Sequence, residues 1–388
     1  MSRVTFRCTR CDTVYTASPS LLECSRCGST LDAFVQPVEG LAGAHKLPGV
    51  FRWWSHLPLH DPSAVTSLGE GNTPLIPLPS LARRFGLSKL YAKLEGCNPT
   101  GSFKDRGAAV MVSALREQGI TELVEDSSGN AGSAVAAYCA RAGMRATVFV
   151  PESTPLTKLG QARAYGAVVR PVPGPRDAAA VAARKYAREH TAVYASHNLS
   201  PYPVHGMKSF AFELAEQLPG VAIDHIVLPV GNGSLLLGCA MGYAELRAQN
   251  PAINTPQLHA IQTEEVRPLV AAFKGETWLP ENAGRTVAGG IAVTRPPRAH
   301  QIVAAVKGSG GQALAVEEHR IVAWQRELAE SEGIYAEPTA AAAFVGLEML
   351  VKQGVIKSGD TVLVPVTGSG LKDSPPGPGL DGPIIGAE

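Results

Sequence analysis

Between residues 121 and 366 the chain alternates short apolar runs with alanine-rich stretches of helical period, and nothing else in it restricts the fold as much. Strand-like runs are expected at 121–126, 145–150, 167–172, 191–195, 225–230, 257–262 and 361–366. Helices are expected at 132–142, 155–165, 176–190, 207–217, 235–249, 298–307, 317–332 and 338–352. Strands that alternate with helices pair in parallel through right-handed crossovers, so the expected class is α/β with largely parallel sheets. Two such sheets leave a cleft, and ligands of such folds sit at the carboxyl ends of the strands.

Two strand-to-helix junctions are built of small residues: Asp126-Ser127-Ser128-Gly129-Asn130-Ala131-Gly132-Ser133 and Val230-Gly231-Asn232-Gly233-Ser234-Leu235. Small residues let backbone amides approach an anion, and the helix dipole favours its charge. Taken alone, the first string fits a plain N-cap at Ser128 or Asn130 equally well, and the second suits many phosphate sites.

Upstream lies Glu95-Gly96-Cys97-Asn98-Pro99-Thr100-Gly101-Ser102-Phe103-Lys104-Asp105-Arg106-Gly107. A turn-forming Asn-Pro-Thr-Gly leads into Ser-Phe-Lys, and a helix-compatible run follows from Ala108. Lys104 therefore sits at a helix mouth, the end that disfavours a cation. Such a local conflict is the mark of a functional position. Desolvation and a positive neighbourhood both lower an amine's pKa, as a Schiff-base lysine requires.

This string resembles the cofactor-lysine segment of the threonine synthase group, within the tryptophan-synthase-β-like (fold type II) pyridoxal-phosphate enzymes. Leu68-Gly69-Glu70-Gly71-Asn72-Thr73-Pro74-Leu75, Glu337-Pro338-Thr339-Ala340 and Pro365-Val366-Thr367-Gly368-Ser369-Gly370-Leu371-Lys372-Asp373 resemble the same group. The resemblance implies pyridoxal 5'-phosphate on Lys104, with Phe103 beside it. It also implies that the amides of Gly231, Asn232, Gly233, Ser234 and Leu235 hold the cofactor phosphate. The group commonly has a glycine where Ser234 stands, and a serine adds a hydroxyl donor there. Ser128, Gly129, Asn130, Ala131 and Gly132 would hold the substrate carboxylate, with Asn130 also on the cofactor's ring hydroxyl oxygen. Thr367 would face the ring nitrogen, where a hydroxyl withdraws electrons more mildly than an aspartate partner. Glu337 is read either as a cleft-facing carboxylate or as a helix cap.

The domain plan implied is 1–34 ribbon-like, 35–92 with 206–374 as the large cofactor domain, 93–205 as an inserted small α/β domain, and 375–388 as a flexible tail. A homodimer is expected. The paired Trp53 and Trp54 are read as packing of an irregular arm on the main body.

The substrate is less constrained. Threonine synthases typically read Asn-Pro-Tyr-Arg-x-Glu-Gly-Gln-Lys after the third strand of the small domain, and that arginine helps to bind the substrate phosphate. This chain reads Ser200-Pro201-Tyr202-Pro203-Val204-His205-Gly206-Met207-Lys208. Proline cannot replace a bidentate guanidinium, so Arg163, Arg176, Lys158 or Lys208 must compensate if a phosphate is bound. Ala288-Gly289-Gly290-Ile291-Ala292-Val293 leans toward the dehydratase and ammonia-lyase branches of the fold. His205 is placed on the substrate side as an acid or base, against the plainer reading of a packed histidine. The expectation is a threonine synthase-like enzyme performing elimination or replacement on a small amino acid. The alternatives are a β-eliminating or β-replacing enzyme acting on serine, threonine or an O-activated serine, and a non-catalytic pyridoxal-phosphate-binding protein.

Cys8-Thr9-Arg10-Cys11 and Cys24-Ser25-Arg26-Cys27 form paired C-x2-C knuckles, which suit a structural zinc ion held by Cys8, Cys11, Cys24 and Cys27. Nothing basic and aromatic surrounds them, so a nucleic-acid role is not expected. The net charge of +1 offers no field toward nucleic acid or an anionic membrane. With no long apolar run and no apolar leader segment, a cytoplasmic protein is expected.

Overall fold

The computed structural model describes residues 3–36 and 46–373. The Pro- and Gly-rich tail after Asp373 lies outside the described residues. Strands β1 (Val4–Cys8), β2 (Val14–Thr16) and β3 (Leu31–Val35) make a small antiparallel sheet in the order β2-β1-β3. The arm that follows packs down as expected, with Trp54 buried and Trp53 tilted against Phe212.

Next come β4 (Leu75–Pro77), α1 (Pro79–Phe85), β5 (Lys89–Lys93) and α2 (Lys104–Arg116). The middle of the chain supplies β6 (Glu122–Glu125), α3 (Asn130–Ala142), β7 (Arg145–Pro151), α4 (Leu156–Ala164), β8 (Val168–Val172), α5 (Arg176–Glu189) and β9 (Val193–Tyr194). These four strands form one parallel sheet in the order β8-β7-β6-β9. The remainder is α6 (Pro203–Met207), α7 (Ser209–Gln217), β10 (His225–Pro229), α8 (Ser234–Gln249), β11 (Gln257–Thr263), α9 (Pro268–Lys274), α10 (Ala299–Gly308), β12 (Ala313–Val316), α11 (Glu318–Glu332), α12 (Pro338–Lys352) and β13 (Thr361–Pro365). A six-stranded sheet runs β12-β11-β10-β13-β5-β4, parallel except at β4.

The strand order of each sheet reverses once, and ligand crevices of open α/β sheets form where it reverses. In the larger sheet the reversal falls between β10 and β13; in the smaller it falls between β6 and β9. The loops leaving all four of these strands reach one cavity, through Gly231, Thr367, Ser127 and Asn198.

Helix α2 carries Lys104 and is buried from Asp105 to Leu115. Two residues beyond Lys104, the Arg106 guanidinium is fully buried between two carboxylates. Its Nε and Nη2 donate to Glu95 at 2.7 Å each, and its Nη1 and Nη2 donate to Glu213 at 2.7 and 2.8 Å. Lys93 Nζ lies 2.8 Å from the same Glu213. Two fully buried cations and two fully buried carboxylates thus balance, and breaking such a buried set costs about 3–5 kcal/mol. The Leu68–Leu75 string is tied to this set through its buried Thr73 and the backbone of Asn72, while Leu68, Gly69 and Pro74 stay exposed. Asn72 N–H donates to Glu213, Thr73 Oγ1 donates to Glu95, and Glu70 accepts from Tyr138. No helix among the described residues is long and apolar enough to cross a membrane.

Candidate active site

Lys104 is the first residue of α2, as its sequence position predicted. Phe103 N–H donates to the Thr367 carbonyl at 3.0 Å, and Ser102 bridges to Gly368, so the loop before the lysine is stitched to the loop after β13. The side chain enters a cavity of about 480 Å³ between the two parallel sheets. Its Nζ stands 3.4 Å from Ser234 Oγ and 4.8 Å from the Phe103 ring centre. Burial pulls its pKa down to about 8; Glu125 opposes that shift and Arg176 adds to it.

Facing the lysine is the turn from β10 into α8. Gly233 adopts φ +73°, and a Cβ there would stand 2.3 Å from Ile302 Cδ1, so both backbone and packing demand glycine. A Cβ on Gly231 would meet the Gly290 carbonyl at 2.9 Å. These constraints hold the loop against the start of a 16-residue helix whose first amides lack partners within the helix. Gly231, Asn232, Gly233, Ser234 and Leu235 all line the cavity. The donor set suits a phosphate group.

At the other end of the cavity, Glu337 is buried at the N-terminus of α12. Its Oε2 accepts from Asn130 Nδ2 at 3.0 Å and its Oε1 accepts from Thr367 Oγ1 at 3.3 Å. Burial raises its carboxyl pKa, and these two hydrogen bonds only partly oppose the rise. Its side chain makes no cap bond to its own helix, so of the two sequence readings the cleft-facing one holds. The cavity thus has an amine of lowered pKa, an amide cradle for a phosphate and a hydroxyl–carboxylate–amide chain, which are the parts that a lysine-linked cofactor needs.

Residues 66–368 match the family model described as pyridoxal-phosphate dependent enzyme. The chain belongs to that family. It is 35% identical over 376 residues to the threonine synthase of Methanocaldococcus jannaschii, covering 95% of this chain and 92% of that one. With the threonine synthase of Methanosarcina acetivorans it is 36% identical over 374 residues, with the same coverage. An O-ureido-L-serine synthase structure superposes with a TM-score of 0.66 at 22% identity, over 81% of this chain and 93% of that one, which shows a shared fold. The protein is a threonine synthase-like member of the fold type II pyridoxal-phosphate enzymes.

Within this pyridoxal-phosphate enzyme the expected residues mostly converge. Ser128, Gly129, Asn130 and Ala131 line the cavity around the start of α3. Gly132 sits behind them, where a Cβ would lie 1.9 Å from the Ser127 carbonyl oxygen, so it shapes the turn from beneath. His205 does not reach the cavity. It is buried in α6, its Nε2–H donates to the Ala33 carbonyl at 2.9 Å, and burial, then Lys208, pushes its pKa down to about 3. Its expected substrate role is corrected to docking of strand β3. Pro203 is buried in the same short helix, against Gly107 of α2.

Of the four basic residues weighed as stand-ins for the missing arginine, Arg176 and Lys158 line the cavity. Lys208 is buried elsewhere, bonded to His56 O and Glu245. Glu125 was not singled out in the sequence. It ends β6 in a string that reads as ordinary strand, and only the cavity reveals it.

The cysteines also gather. The sulfurs of Cys8, Cys11, Cys24 and Cys27 all lie within 4.8 Å of one another, with no disulfide among them. Zinc with sulfur ligands at about 2.3 Å in a tetrahedron needs sulfurs roughly 3.8 Å apart. The Cys8–Cys27 and Cys11–Cys24 separations are 3.4 and 3.5 Å.

Proposed function

We propose that this threonine synthase-like lyase performs elimination or replacement on a small amino acid, with Lys104 as the cofactor's attachment point. What supports the reading most is the Lys104 amine, desolvated to a pKa of about 8 and set 3.4 Å from Ser234 at the mouth of α8. When bound, pyridoxal phosphate supplies an electron sink for negative charge developing at the substrate's α-carbon. The amides of Gly231–Leu235 would hold its phosphate, with Phe103 beside it and Asn130 and Thr367 toward its ring. The small residues Ser128–Gly132 form the turn that receives the substrate carboxylate at the start of α3. Lys104 Nζ would accept the α-proton. Holding that base on a buried helix keeps it within reach of the proton.

β-Elimination or β-replacement on serine, threonine or an O-activated serine is a second reading. It is favoured by Pro203, which leaves the 200–208 segment without a guanidinium. Four thiolates around one zinc ion would stabilise the small N-terminal sheet, whose own core is slight. The domain plan read from sequence, a homodimer and a cytoplasmic setting complete the proposal.

Borohydride reduction of the protein loaded with pyridoxal phosphate tests the central claim. Peptide mapping is expected to find the label on Lys104, and Lys104→Ala is expected to stay folded, unlabelled and inactive. A loaded wild-type protein labelled elsewhere, or not at all, overturns the reading.

A further inference from the structure

One guanidinium joins the N-terminal sheet to the wall of the cavity. Arg298 stands immediately before α10 and is 2% exposed. Its Nη1 donates to Asp32 Oδ1 and, at 3.0 Å, to Gln301 Oε1, while its Nη2 donates to the Leu31 carbonyl at 2.7 Å. Gln301 closes the set by donating to Asp32 Oδ2 at 2.6 Å. These bonds fasten β3 to the start of α10. The remaining one leaves the set: Arg298 Nε donates to the Asn198 carbonyl at 3.2 Å.

Asn198 follows β9, where the strand order of the smaller sheet reverses, and it lines the cavity that holds Lys104. The backbone of this loop is pinned at its two ends. Ala195 N–H donates to the Val124 carbonyl at 2.7 Å, and Ser200 N–H donates to the Ser196 carbonyl at 2.9 Å. Between those pins the carbonyl of Asn198 is held from outside the loop, by Arg298. A guanidinium is planar and its donors are fixed in one fork, so a shift of β3 against α10 is carried to Nε as well. The residues expected to hold the cofactor lie on other elements: Lys104 opens α2, the 231–235 loop precedes α8, and Thr367 follows β13. Helix α10 has its own anchors, because Ile302 and Val306 are buried in the core shared with α8 and β11.

We propose that Arg298 is a positioning residue. It sets the Asn198 wall of the cavity against the N-terminal sheet, and so governs binding of the amino-acid substrate rather than binding of the cofactor. Asp32 acts through it, which makes the N-terminal sheet a working part of the site. The inference rests on the amino-acid lyase reading above.

The experiment compares the full-length wild type with Arg298→Ala, Arg298→Lys, Asp32→Ala and the double variant of Arg298→Ala and Asp32→Ala. Absorbance titration gives Kd for pyridoxal phosphate, and steady-state assays give kcat and KM for L-serine, L-threonine and O-phospho-L-homoserine. Arg298→Ala is expected to raise KM about tenfold for the amino acid that the wild type turns over best, with kcat and the cofactor Kd within about threefold. Arg298→Lys keeps the charge, but one ammonium cannot bridge as the fork does, so KM is expected to rise nearly as far. Asp32→Ala is expected to raise KM by about threefold, and the double variant to be no weaker than Arg298→Ala alone, the non-additivity of two residues that act as one unit. A wild-type KM in Arg298→Ala overturns the inference. KM and cofactor Kd that rise together also overturn it, since a general loosening of the fold would do that, and so does a double variant whose two effects add. Should Arg298→Ala not fold, a wild-type KM in both Arg298→Lys and Asp32→Ala overturns it. A protein that borohydride fails to label at Lys104, or that turns over none of the three amino acids, would count against the lyase reading instead.

Discussion

Asn130 and Glu337 meet across the cleft: the amide nitrogen at the start of α3 donates to the carboxylate at the start of α12 at 3.0 Å, over 207 residues of chain. The same carboxylate receives the hydroxyl of Thr367, which follows β13. Two residues expected at the cofactor's ring hydroxyl oxygen and ring nitrogen are therefore held by one buried acid.

Glu337→Ala removes the shared acceptor and leaves both partners unpaired. A lost hydrogen bond costs about 0.5–1.5 kcal/mol net, so the cofactor is expected to bind roughly tenfold more weakly. Glu337→Gln, which keeps an acceptor oxygen, should fall between that variant and wild type. Absorbance titration with pyridoxal phosphate measures all three. Unchanged affinity in Glu337→Ala would remove the acid from the site.

The Lys104 amine offers a pH signature. Its pKa of about 8 lies below the usual lysine value of roughly 10.4 because burial disfavours the cation. In the cofactor-free protein its labelling by an amine-directed reagent should rise about tenfold per pH unit and level off above about pH 8. Surface lysines should keep rising for about two more units. Mass spectrometry of the labelled peptide follows this directly. A Lys104 profile parallel to the surface lysines would contradict the lowered pKa.

Acid should act through Glu213. Burial by itself raises the pKa of that carboxyl, but Arg106 and Lys93 outweigh it and hold the value at about 2. A depressed carboxyl stabilises the fold fully above its unfolded pKa, so this contribution, roughly 3 kcal/mol, is expected to fade as pH falls from about 4.5 toward 2. Urea unfolding at stepped pH tests it. Arg106→Ala should cost about 3–5 kcal/mol at neutral pH and flatten the acid dependence. If the acid limb is as steep in that variant as in wild type, the ion set is not its source.

Metal analysis should find about one zinc per chain. Chelation is expected to loosen residues 3–36 to proteolysis while leaving borohydride labelling of Lys104 intact. Arg298, buried and bonded to Asp32 and the Leu31 carbonyl, also donates to Asn198 O beside the cavity. The small sheet thus touches the active-site wall without entering it. Loss of labelling on chelation would give the metal a direct part in the cleft.

Sequence alone determined whatever depends on neighbours in the chain. Helices such as Pro338–Lys352 and strands such as Gln257–Thr263 were legible because their period is local. So was Lys104 at a helix mouth, since a Gly-rich turn fixes where α2 begins. Elements whose only support is lateral were missed. Strand β5, with lysines at both ends, is a strand because β13 and β4 flank it. The same holds for β12, which among the described residues pairs with β11 alone. The expected 207–217 helix is α7, which begins at Ser209, and the separate turn α6 that Pro203 opens ahead of it was not foreseen.

Tertiary structure alone decided which side chains share the cavity. It turned His205 away to a carbonyl of β3 and tied Asn72 and Thr73 of the Leu68–Leu75 string to a buried ion set. It also brought Glu125, Arg176 and Glu337 to the lysine from three distant elements. Nothing in the local pattern at Glu125 tells a core acid from a cleft acid. The distinction arises only when two sheets, each reversing its strand order once, bring their carboxyl ends to one cavity.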